Sequence, residues 1–261
     1  MPYSRNRVVW VVPVTLYLSL LFIASLNLNS AFFVEINQIS RYTGDPLWSN
    51  ITIIGDALIA IAIALPLFGR RPDIIWAIII ASILAILIVH CLKPLAQIAR
   101  PPAVLPEHLI HVIGPAHMKN AFPSGHTAAI FTVVGAYCLL THWSWTSRIL
   151  LSMAIAAGLS RIVVGVHWPV DVLTGALTGW LCAFFGIMLA RQWHWGLSER
   201  VQRSFAIIFT IATIYLVLFH NTKYPDAIIL QQTIGIAALI VATPGLLRLF
   251  GKQVFGKAQT Q

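Results

Sequence analysis

Carboxylates are scarce in this chain: Asp and Glu number 8 in 261 residues, against 17 Lys and Arg, and charged residues make up only 10% of it. Acids this few and this scattered cannot build the oxygen cage of a hard cation, so no metal site and no cofactor is expected. Cysteine is rarer still. Cys91, Cys138 and Cys182 stand singly in or beside apolar runs, with neither a zinc spacing nor a disulfide framework, and read as buried free thiols. Internal repeats, low-complexity segments and interdomain linkers are lacking too, so residues 1–261 read as a single integral membrane domain. The net charge of +9 does not signal nucleic acid, because the basic residues sit in short clusters between apolar segments rather than along one face.

What the chain has in abundance is apolar surface, 58% of its residues, and that excludes an ordinary soluble domain. Segments apolar enough to cross a bilayer fall at about 8–28, 50–69, 74–92, 127–141, 149–166, 170–190, 204–219 and 228–247. The pattern predicts an all-α, polytopic membrane helical bundle. The first segment has the basic start of a signal peptide but is long enough to span, so a retained helix is expected. Charge then orients the spans. With a cytoplasmic N-terminus, that side carries Arg5, Arg7, Arg70, Arg71, Arg148, Arg191, Arg200, Arg203, Arg248, Lys252 and Lys257. The other side carries Arg41, Lys93, Arg100, Lys119 and Lys223. Eleven against five follows the positive-inside rule and places both termini in the cytoplasm. The tail from Gly251 to Gln261 is expected to be flexible.

One outer connection, from Lys93 to about Pro123, is too long and too rich in proline to be a single helix, which marks it as a functional loop. It opens on "KPLAQIARP" and closes on "FPSGH", and two crossings later the chain returns to the same face at "SRIVVGVHWPVD". An even number of spans between the pieces is what a shared site requires. Lys93, Arg100 and Arg161 would gather three cations, and a phosphoryl group in transfer needs little beyond positioning and charge neutralisation. Arginine adds a planar fork for two oxygens. Ser124, with the backbone N–H groups of Gly125 and His126, would open a helix toward an anion. His167 and Asp171 are spaced i, i+4, so a carboxylate can fix one imidazole nitrogen and leave the other free to attack. Spacing alone does not say which histidine attacks. His90, His108, His111, His117, His142, His194 and His220 are assigned to packing or local hydrogen bonding. Asp56 either pairs with a basic group of the site or bonds locally. Trp143, Trp145, Trp193 and Trp195 read as interface anchors.

The three pieces resemble, in order and without departure, the signature of the type 2 phosphatidic acid phosphatase superfamily, K-x6-R-P, P-S-G-H and S-R-x5-H-x3-D. The resemblance covers about residues 75–190. It implies a six-helix membrane core, so the last two predicted helices, about 200–250, are additional. It also implies a metal-independent phosphohydrolase working through a phosphohistidine, with His167 as nucleophile, Asp171 as its orienting partner and His126 as the acid. Lys93, Arg100, Ser124, Gly125 and Arg161 would bind phosphate.

The expectation is therefore a membrane lipid phosphatase of the cell envelope, in a bacterial plasma or inner membrane, with its site on the extracytoplasmic face and its partners a lipid phosphate and the surrounding lipids. Substrates implied by the resemblance are undecaprenyl diphosphate, phosphatidylglycerol phosphate, phosphatidic acid and the phosphates of lipid A. A lipid-to-lipid phosphotransferase would need the same residues. A transporter would place polar residues at mid-membrane depth in several helices. Soluble haloperoxidases share the constellation and hold vanadate in it, a use the membrane spans argue against. Oligomeric state is not encoded in any visible pattern.

Overall fold

The computed structural model describes residues 8–256, and every regular element among them is a helix. Arg5, Arg7 and Lys257, counted above among the inner cations, lie outside the described residues. Helix α1 (Val8–Ser25) is apolar on all sides and carries Pro13 within it. It breaks at residues 26–28, and the chain turns by 108° into α2 (Asn29–Asn37) and α3 (Ser40–Thr43). The second expected span is likewise two helices, α4 (Asp45–Ile53) and α5 (Ala57–Ala64), bent by 61°. Gly55 and Asp56 make the break. The Asp56 carboxylate accepts the Leu58 N–H at 2.8 Å and so caps the restarted helix.

The long helix α6 (Pro72–Ala96) starts on Pro72 with Asp73 in its first turn, both suited to the positive helix end, and stops where Gln97 turns left-handed at φ 49°. It therefore reaches beyond Lys93, which had been expected to open the outer loop and instead sits in the last turn. A short helix, α7 (Pro101–Val104), interrupts that loop. Then follow α8 (Gly125–Leu140), α9 (Trp145–Val163), α10 (Pro169–Gln192), α11 (Glu199–Leu218) and α12 (Ile228–Gly256). The last of these runs into the tail expected to be flexible, so helix replaces coil there as far as Gly256.

By length and composition five helices can cross a membrane, or seven if each bent pair is one span, and α8 is a shorter apolar helix. The protein is an all-helical integral membrane protein. At its centre α10 packs against α8, α6 and α1, with Trp180 buried among them and its indole N–H directed at the Val9 carbonyl, 3.4 Å away. The C-terminal pair α11 and α12 pack on each other and on α5, so they complete the bundle on the side where the second span is broken.

Candidate active site

The loop between α9 and α10 is built to present His167. Gly165 adopts φ +83°, and a Cβ there would lie 2.7 Å from the His111 carbonyl, so a residue with a side chain would be strained and blocked. Behind it, the buried amide of Asn37 donates to the Val163 and His111 carbonyls, both at 2.8 Å, while its oxygen accepts the His111 N–H at 2.7 Å. That single side chain pins the α9 end to the outer loop. Trp168 is held by its indole N–H on the Ala99 carbonyl at 2.8 Å and by the Phe33 ring, 5.2 Å between centroids.

His167 and Asp171 are almost fully buried, at 2% and 1% exposure. Imidazole Nδ1 lies 3.3 Å from Asp171 Oδ2, and the same oxygen accepts the Trp168 N–H at 2.8 Å, which locks the carboxylate. Nε2 is thereby turned away from the acid. It lies 3.3 Å from Nη1 of Arg100, which also donates to the Val166 carbonyl at 3.1 Å, while Nε of Arg100 donates to the Lys119 carbonyl at 2.9 Å. Burial, then the cations Arg100 and Arg161, push the His167 imidazole well below its ordinary value. The neutral imidazole is thereby favoured over the imidazolium.

"PSGH" meets this pair through the backbone: the Ser124 N–H donates to the Asp171 carbonyl at 3.0 Å. The close approach depends on Gly175, where a Cβ would stand 2.5 Å from the Ser124 carbonyl oxygen. Phe122–Pro123 is a cis peptide bond. Ser124 occupies the N-cap position of α8, its hydroxyl accepting from Thr127 at 2.9 Å, and the first-turn N–H groups of a helix offer positive charge to an anion. The Lys93 ammonium hangs over Gly125, 3.9 Å from where a Cβ would be. His126 lines a cavity beside Lys93 and backs onto Gly55.

Arg161 is 3% exposed, and its guanidinium is held by residues that no motif marks. Its Nη1 donates to the Thr52 hydroxyl at 2.6 Å and to the Tyr224 hydroxyl at 3.5 Å, while its buried Nε has no protein partner. The eight residues singled out by spacing are thus brought to one end of the bundle. Asp56 pairs with His220 at 3.2 Å rather than with a site cation. His111, assigned to local bonding, pairs with Asp45 at 2.8 Å. Cys138 and Cys182 are buried, but Cys91 is exposed, contrary to the reading of all three as buried. Among the described residues no three His, Cys, Asp or Glu side chains converge as metal ligands would.

Cations thus gather round a buried His–Asp pair at one end of an apolar helical bundle. Residues 74–197 match the model of the PAP2 superfamily. It is 29% identical over 58% of its length to an undecaprenyl-diphosphatase of Sulfolobus acidocaldarius, covering 67% of that protein. It is 36% identical over 44% of its length to a bacitracin transport permease protein, BcrC, of Bacillus licheniformis, covering 55% of that one. The chain spans about half the length of the first curated relatives it matches, 46% and 55%. Among solved structures, LpxE of Aquifex aeolicus is similar with a TM-score of 0.56 and 29% identity, over 62% of this chain and 95% of that one. Helices α11 and α12 follow the matched segment.

Proposed function

We propose that the protein is a membrane lipid phosphatase that cleaves a phosphomonoester or diphosphate through a phosphohistidine, on the extracytoplasmic face. The observation that carries this reading is the placement of buried charge. Among the described residues the buried Arg, His and Asp side chains, Arg100, Arg161, His167 and Asp171, all belong to one cluster, and no Lys or Glu is buried elsewhere. A permease would distribute such groups along a path through the bilayer.

The geometry supports the following chemistry. The phosphate oxygens rest among Lys93, Arg100, Arg161 and the first N–H groups of α8, so charge on the equatorial oxygens is neutralised where it develops. Nε2 of His167 attacks phosphorus in line, forming an N–P bond as the ester P–O bond breaks. His126 gives its proton to the departing lipid oxygen. Asp171 holds Nδ1–H and offsets the positive charge that forms on the imidazole. Water then attacks the phosphohistidine, assisted by His126 as base, and releases inorganic phosphate. Undecaprenyl diphosphate is the substrate favoured by the named relative from Sulfolobus acidocaldarius.

The test is purified full-length protein in detergent with undecaprenyl diphosphate, phosphatidylglycerol phosphate, phosphatidic acid and lipid A, scored for released phosphate in excess EDTA. Turnover by the wild type that is abolished in His167→Gln is expected. Phosphate release from none of the four, or turnover lost to EDTA and restored by Mg²⁺, overturns the reading.

A further inference from the structure

A cavity of about 510 Å³ opens from the phosphate cluster and runs down the bundle between α5, α6, α8 and α11. Its outer end is polar, lined by Lys93, Gly125, His126 and Asp56; beyond them the walls are apolar, as at Val89, Ala129 and Val133. The Thr132 hydroxyl, which also faces it, is turned back onto the Ala128 carbonyl at 2.7 Å. Phe205, Ile208 and Phe209 of α11 line its inner end. Two of these are fixed by aromatic neighbours, Phe209 edge-on to Phe68 at 5.2 Å and Phe205 beside Trp76 at 6.3 Å.

Its length follows from helix rise. On α6 the lining runs from Lys93 to Ile78, about 22 Å at 1.5 Å per residue. On α11, Phe205 lies about 20 Å from the outer end at Leu218 by the same measure. One leaflet is about 15 Å of hydrocarbon, so the groove continues past the bilayer midplane.

We propose that this groove holds the hydrocarbon chain of the lipid whose phosphate occupies the cation cluster, and that Phe205, Ile208 and Phe209 set the chain length it accepts. The inference rests on the phosphatase reading and adds a specificity determinant to it. The occupant is specified at both ends, an anionic head at Lys93 and an uncharged chain along the apolar walls. The floor comes from α11, outside the segment shared with the superfamily, so this part of the specificity belongs to this chain's own C-terminal helices.

The test is a series of single-chain alkyl and prenyl monophosphates of increasing length, with nitrophenyl phosphate as the chainless reference, assayed on full-length protein in detergent. For the wild type, kcat/KM relative to nitrophenyl phosphate should rise with length until the chain spans about 22 Å and then level off. Ile208→Trp narrows the inner end and should lower that ratio about tenfold for the longest chains, leaving the short-chain ratio in place. Phe209→Ala opens the floor and should shift the plateau to longer chains. A wild-type ratio independent of length, or variants that change every length alike, overturns the groove while leaving the phosphatase intact. A wild type that hydrolyses neither the lipids nor nitrophenyl phosphate overturns both. The wild-type series needs no substitution and decides the question by itself if either variant fails to fold.

Discussion

In the proposed reaction His126 and His167 share one small volume but do different work, and each role has its own signature. An acid is needed in proportion to how poor the leaving group is, and general acid catalysis contributes about 10² to 10⁴ in rate. His126→Ala should therefore cost about a hundredfold or more on a lipid alkyl phosphate and far less on nitrophenyl phosphate. Equal losses on the two would remove His126 from that role. His167 must be neutral to attack, and burial with Arg100, Arg161, His126 and Lys93 nearby depresses its pKa. The sign is that the neutral form persists as pH falls. The acid limb of kcat/KM, which reports the free enzyme, should lie below the ordinary histidine value of about 6.5. A limb at or above it in titrations of the wild type would contradict the burial argument. All eight candidate residues could be read from the sequence because they fall in three short motifs whose spacing carries the chemistry. Thr52 and Tyr224 could not. They reach Arg161 across 109 and 63 positions, and a lone threonine or tyrosine in an apolar run has no pattern to betray it. A hydrogen bond to a charged group is worth about 1.5 to 3 kcal/mol, so their contribution to placing that guanidinium is not small.

The helices themselves are where the sequence was most and least informative. Long apolar runs such as α6 and α10 declare themselves by composition, and Pro72 and Pro169 mark their first turns. The broken second span does not, because "NITIIGDALIAIAIALPL" is apolar throughout and hydropathy averages over Gly55 and Asp56. Only the tertiary setting shows what the break is for. Gly55 gives His126 room, since a Cβ there would come within 3.1 Å of that of His126. Asp56 restarts the helix and holds His220 from the α11–α12 connection. Asp56→Ala should lower stability by about 1 kcal/mol through the lost cap. Thermal unfolding in detergent should register it, and an unchanged midpoint would mean that packing of α5 against α11 and α12 alone sets its start.

At the scale of the whole molecule the open matter is which way the bundle sits, and charge is the means to decide it. The site end carries Lys93, Arg100, Lys119 and Lys223, whereas Arg70, Arg71, Arg148, Arg191, Arg200, Arg203 and Arg248 fall in the connections and helix ends at the far side. The positive-inside rule predicts that the second group stays in the cytoplasm, which is the basis for proposing that the site faces out. Impermeant thiol reagents test this in intact cells. His108 is exposed in the outer loop, which makes it a better probe position than the half-buried His111 with its Asp45 contact; Arg200 is exposed at the start of α11. Cys91, the exposed native thiol, is first changed to Ser, while Cys138 and Cys182 are buried. His108→Cys should then be labelled from outside, and Arg200→Cys only after the cells are permeabilised. The reverse pattern would put the phosphate cluster in the cytoplasm and move the search for its substrate to lipids of the inner leaflet. It would also require the seven far-side arginines to have been translocated against the charge bias that governs short loops, so a single labelling experiment weighs the site's orientation and the electrostatic argument together.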